Sequence, residues 1–152
     1  MGKILFFIAF IALLAVVLLF LIIPRKPAQE LAKANLDVDG HILHVEIADT
    51  MATRAQGLSG RERLAEDEGM YFIFPIPAIY PFWMKDMKFP IDIIWIRGEK
   101  IVGITENAAV PDSSSGLPIY SPPTIIDKVL EVDAGLAGKL GLAEGKMVKL
   151  VQ

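Results

Sequence analysis

Between Ile4 and Ile23 the chain runs through twenty residues, ILFFIAFIALLAVVLLFLII, without one charged, polar, Gly or Pro residue. A helix rises about 1.5 Å per residue, so a run of this length crosses the roughly 30 Å hydrocarbon core of a bilayer. In lipid every backbone amide needs an internal partner, and a helix provides it. The run therefore predicts one transmembrane helix over residues 1–23, an uncleaved signal-anchor through which residues 4–23 contact the bilayer. Two other readings compete. A buried soluble helix would normally keep a polar face, and none exists here. A cleaved signal peptide would use Lys3 as its basic start and Ala32-Lys33-Ala34 as an A-x-A-like site. The apolar run exceeds the usual h-region of about 7–15 residues, and that triplet lies well beyond its end. The absence of Cys excludes lipid attachment through a thiol.

Past the anchor, Pro24 to Asn35 reads as a juxtamembrane linker (24–35), because Pro24 and Pro27 stop a helix from continuing. Residues 36–152 then form one domain, long enough for a single core. The whole chain has 18 acidic and 15 basic residues; residues 36–152 hold 17 and 11 of them, a net charge of −6. No basic stripe occurs, which disfavours nucleic acid as a partner. Zero Cys removes disulfides, thiolate catalysis and zinc–thiolate sites together. The flanking charges are Lys3 on one side and Arg25, Lys26 and Lys33 on the other, and by the positive-inside rule they would place the domain in the cytoplasm.

Within the domain, short alternating runs replace the continuous apolar pattern. Leu36–Val38 and His41–Ile47 flank Asp39-Gly40, which supplies the positive φ angles of a type I′ hairpin turn. Thr50 is placed to cap a helix over Met51–Gln56 that Gly57 ends. Further strands are expected over Gly69–Phe74, Phe82–Met84, Ile91–Ile96, Ile101–Asn107, Lys128–Val132 and Met147–Val151, with a second short helix over Ala134–Leu140. Pro75, Pro77 and Pro81 mark an exposed aromatic loop around Tyr80, and residues 108–124 form a long loop rich in Pro and Ser. Many short strands and two short helices predict a mostly β, antiparallel domain.

Three blocks resemble one family. They are Arg54-Ala55-Gln56-Gly57-Leu58 through Phe74, Phe82-Trp83-Met84-Lys85-Asp86 followed by Pro90-Ile91-Asp92, and Val129-Leu130-Glu131-Val132 through Gly145. In this order they are similar to the prokaryotic domain-of-unknown-function family 192, over nearly all of residues 36–152. The resemblance implies a β-sandwich of jelly-roll type and an extracytoplasmic location in the cell envelope, against the charge count beside the anchor. It implies no established activity. The family pattern often has Asn where this chain has Asp86, and Asp where it has Lys146.

The residues that could carry chemistry cluster around the second block. Strand alternation puts Trp83 and Lys85 on one face and Met84 on the other. An aromatic beside a cation can hold a planar or sugar-like ligand by stacking and a charge-assisted hydrogen bond. The structural alternative is that Trp83 caps the core while Lys85 pairs with Asp86. Asp92 stands in an otherwise apolar strand, where a carboxylate needs partners or a raised pKa. It is either an acid or ligand anchor, or a carboxylate that accepts loop N–H groups or pairs with Lys85 or Arg61. Glu106 and Arg61 are further neighbours. His41 and His44 fall on opposite faces of a strand, so no metal is expected, nor any cofactor.

These features lead to one expected function and two alternatives. The first is a non-catalytic envelope module that binds a small ligand or envelope protein through Tyr80, Trp83, Lys85, Asp86, Asp92, Arg61 and Glu106. A hydrolase-like enzyme would instead pair Asp92 with Glu106 or Glu131 as general acid and base. The third reading is a structural accessory subunit of a membrane complex.

Overall fold

The computed structural model of the protein describes residues 30–112 and 116–151. The span expected over Ile4–Ile23, the start of the linker and Ser113 to Ser115 lie outside the described residues. Among the described residues no helix is long and apolar enough to cross a membrane.

Two strands open the domain, β1 (Lys33–Val38) and β2 (His41–Ala48), followed by helix α1 (Met51–Gln56). Strands β3 (Glu68–Ala78), β4 (Phe82–Trp83), β5 (Ile91–Arg97), β6 (Lys100–Ala108), β7 (Ile119–Tyr120) and β8 (Ile126–Asp133) come next. A short helix α2 (Leu136–Lys139) and strand β9 (Val148–Val151) close it. Seven strands form one sheet in the order β6-β5-β8-β3-β2-β1-β9, and β4 pairs with β7 as a separate two-stranded ribbon. The first strand begins at Lys33, inside the segment expected to be linker.

The expected antiparallel jelly-roll sandwich gives way here to a curled mixed sheet with two short helices. The difference lies in one pair: β2 and β3 run parallel, with Val45 opposite Gly69 and Ile47 opposite Tyr71. Parallel neighbours need a crossover of about a dozen residues or more, and residues 49–67 with α1 provide it. Alternation of apolar residues reports which face a side chain takes but not the direction of the neighbouring strand, so the sequence pattern reads the same either way. The sheet curls until its two ends meet. Ile101 N–H donates to the Lys146 carbonyl at 2.9 Å, and Val148 N–H donates to the Glu99 carbonyl at 2.8 Å.

Local chemistry sets the turns. Asp39 and Gly40 both take positive φ, 52° and 95°, the pair of angles a type I′ turn demands. Thr50 caps α1: its side chain accepts from Thr53 N–H, and the Thr53 hydroxyl accepts from Thr50 N–H in return.

Because the central strands are covered on both sides, their side chains feed two cores. Tyr71, Ile94, Ile96, Leu130 and Val132 face one core, closed by β1, β2, β9 and α2. Met70, Phe72, Ile93, Trp95 and Val129 face the other, which the 58–64 segment and the 84–89 turn cover with Leu58, Leu64, Met84 and Met87. Gly69 lets β3 and β8 approach: a Cβ there would lie 2.8 Å from the Glu131 carbonyl oxygen.

Candidate functional site

Phe82 and Trp83 sit on the short ribbon, where they pair with Tyr120 and Ile119. Alternation turns Phe82 inward, edge-on to Phe72 and Trp95 at centroid distances of 5.0 and 5.5 Å. It turns Trp83 outward, 52% exposed, and buries Met84 at 1%. Beside the ribbon, Tyr80 stacks on Phe74 with centroids 3.8 Å apart and donates its hydroxyl to the Ile76 carbonyl at 2.6 Å. The Arg54 guanidinium also lies over Phe74, 5.2 Å from the ring centroid. It is held there by donating to the Asp49 carbonyl and, at 2.8 Å, to that of Ile73.

Together these residues, with Met51, Ala55, Pro81 and Ile119, line an open apolar groove of about 440 Å³ between α1 and the ribbon. Met51 is 83% and Ile119 64% exposed. Three large apolar side chains converging on one concavity, rather than scattered singly, mark a surface shaped for contact.

A second groove, about 460 Å³, is lined by Lys33, His44, Glu46, Arg61 and Glu68. Its size is similar, but its central charges are already paired. Arg61 grips Glu46 with both guanidinium nitrogens, one at 3.2 Å, and His44 hydrogen-bonds Asn35 at 2.8 Å. The apolar groove leaves its exposed side chains unmatched, and it is the better candidate.

The structure divides the expected residues among different places. Tyr80 and Trp83 share the groove. Lys85 and Asp86 are exposed at the turn that follows it. That turn is tied down where Ser59 donates to the Lys85 carbonyl at 2.8 Å and Gly60 N–H donates to that of Asp86 at 2.9 Å. Asp86 has φ of 55°, a conformation that Asp and Asn tolerate better than other side chains. Arg61 belongs to the other groove, and Glu106 is exposed on β6.

Asp92 lies fully buried on the α2 side of the sheet. Its Oδ1 accepts Asn107 N–H at 2.9 Å; its Oδ2 accepts Gly135 N–H at 2.9 Å and Ala137 N–H at 3.0 Å. Glu131 opposes Ile93 in the register, while Asp92 opposes Val132. Successive residues of a strand project oppositely, so Asp92 and Glu131 point to opposite faces and cannot flank one bond. Among the described residues no group of three or more His, Asp or Glu side chains could hold a metal ion.

Arg54, Phe74 and Ile119 are groove residues that no local sequence pattern marks. Arg54 and Phe74 were legible as a capped helix and a strand, but nothing in their spacing brings them together. Ile119 comes from β7, a strand of two residues inside the expected loop. Glu131 is 5% exposed on β8, and burial pushes its carboxyl up to about 8.

The family model of DUF192, described as "Uncharacterized ACR", matches residues 34–150. A crystal structure from Sinorhizobium meliloti 1021, provisionally described as a transcription regulator, is 30% identical with a TM-score of 0.74, covering 81% of this chain and 97% of that one. A protein of unknown function from Novosphingobium aromaticivorans DSM 12444 is 31% identical with a TM-score of 0.74, covering 82% of this chain and 89% of that one. No curated protein matches.

Proposed function

The chain belongs to domain-of-unknown-function family 192, and on that premise we propose a membrane-anchored envelope domain that binds a ligand non-catalytically in the groove between α1 and the β4–β7 ribbon. One observation carries the reading: Met51, Trp83 and Ile119 turn apolar surface into a concavity instead of into the core, with Tyr80 forming part of its wall. Aromatic walls with few polar groups favour a ligand that offers a flat or apolar body. Asp92 supports a binding module over a hydrolase, because both of its oxygens are engaged by backbone N–H groups. The transcription-regulator description of the Sinorhizobium neighbour finds little footing in this chain, where residues 36–152 carry a net charge of −6.

The length of the Ile4–Ile23 run supports the anchor, and the extracytoplasmic placement follows from the family resemblance. Protease added to intact cells should cleave the domain from its anchor; a fully protected domain would place it inside. The binding reading is tested by a thermal-shift screen of the full-length protein against envelope sugars, nucleotides and small apolar compounds. A ligand at a hundred times its Kd adds about 2.7 kcal/mol to the native state. A hit is expected to be lost in Trp83→Ala. A flat screen, with Trp83→Ala melting unchanged in every condition, would overturn the groove as a binding site.

A further inference from the structure

Glu131 lines a recess beside the groove, and no described side chain is its partner. It is 5% exposed; its carboxyl accepts no hydrogen bond and forms no ion pair among the described residues, and its oxygens keep a small contact with solvent through the recess. It lines a narrow recess of about 20 Å³, together with Gly57, Leu58, Phe72 and Met87. The recess and the apolar groove share Arg54, Ala55, Phe82 and Trp83 as walls, so they adjoin. Arg54 keeps its positive charge but forms no ion pair with the carboxyl: two backbone carbonyls and the Phe74 ring hold its guanidinium elsewhere.

We propose that the groove takes a small primary amine, its apolar or aromatic body on Trp83 and Tyr80 and its ammonium in the recess against the Glu131 carboxylate. The inference rests on the binding function proposed above and adds the chemical class of the ligand. Size supports the ammonium. A cavity needs about 10–15 Å³ of this measure to hold a water, so the recess admits one water-sized head and excludes a guanidinium or a trimethylammonium. Charge supports it as well. Burial alone holds the Glu131 carboxyl at about 8, and an incoming cation is the partner that offsets that desolvation. Binding at neutral pH therefore displaces a proton from Glu131. Affinity for the amine rises about tenfold per pH unit up to that value and then levels off.

The test uses full-length protein in phosphatidylcholine nanodiscs, a lipid without a primary amine. Three probes share one aromatic body: 2-phenylethylamine, its N,N,N-trimethyl analogue and 2-phenylethanol. Calorimetry in two buffers of different ionisation enthalpy reads affinity and proton release together. The amine should bind about ten- to a hundredfold more tightly than the other two, as a charge-assisted hydrogen bond implies, and release a proton at pH 7. Glu131→Gln should erase that preference while leaving phenylethanol unchanged. If the variant does not fold, the pH dependence and proton release of the unaltered protein decide alone. Equal binding of amine and alcohol with no proton release would overturn the amine and leave the groove standing. Equal binding of the trimethyl analogue would also overturn it, by assigning the cation to the face of Trp83 instead. If none of the three binds, the amine proposal fails, and the wider screen with Trp83→Ala judges the groove separately.

Discussion

Asp92 shows how one buried side chain organises distant backbone. Its carboxylate gathers N–H groups from residue 107 at the end of β6 and from residues 135 and 137 at the start of α2. Replacing it by Asn turns one oxygen into a donor and sets it against the N–H groups that the carboxylate held. Asp92→Asn should cost about 2–3 kcal/mol, read as a lowered urea midpoint with an unchanged slope. A variant as stable as the parent would show that these N–H groups find other acceptors. Glu131 behaves oppositely, because no described N–H group or cation meets its carboxyl and only a sliver of it touches solvent. Its folded pKa, about 8, stands above the ordinary value of 4.5, so the native state binds the proton more tightly than the unfolded chain does. The stabilisation is complete below about pH 4.5 and is lost as pH rises through about 8. Glu131→Gln removes this dependence. Its stability relative to the parent should climb between pH 5 and pH 8.5 by an amount on the order of a few kcal/mol, measured by urea unfolding at both values. Parallel pH profiles would sink the assignment.

At the scale of elements, α1 is short enough that its cap matters. A helix of six residues has little propagation to offset nucleation, and the reciprocal Thr50–Thr53 bonds fix its first turn. Thr50→Ala should cost about 1 kcal/mol. Because Met51, Arg54 and Ala55 wall the groove, the same change should weaken any ligand found there while Asp92→Asn leaves affinity unaltered in the folded fraction. Paired thermal-shift titrations of the two variants check this. Gly69 holds β3 close to β8, and a methyl group there meets backbone 2.8 Å away, which cannot swing aside. Gly69→Ala should therefore destabilise by about 1–3 kcal/mol, again by urea midpoint, although alanine is the better residue for most strands.

Across the molecule, β1 pairs with β9, so Val38 near the start of the domain opposes Val148 near its end. Residues 31–152 form a compact unit with their own contacts. A chain starting at Leu31 should unfold in one cooperative transition, with circular dichroism and tryptophan fluorescence coinciding. Non-coincident curves would mean that the curled sheet is not a single folding unit. The apolar run, the Asp39-Gly40 turn, the capped α1, most strands and the family could be read from the sequence alone. Each depends on residues adjacent in the chain, or on local periodicity and ordered motifs. The parallel β2–β3 pair, the ribbon that includes β7 and the two-sided burial of β5 and β8 could not, because each depends on which distant segments become neighbours. The same division runs through the site. Trp83 and Tyr80 stood out as aromatics near Pro-rich turns, whereas the opposite facing of Asp92 and Glu131 follows from register and curl. A carboxylate's neighbours decide whether it anchors backbone, as Asp92 does, or stands without a partner at a recess, as Glu131 does, and those neighbours come from strands far apart in sequence.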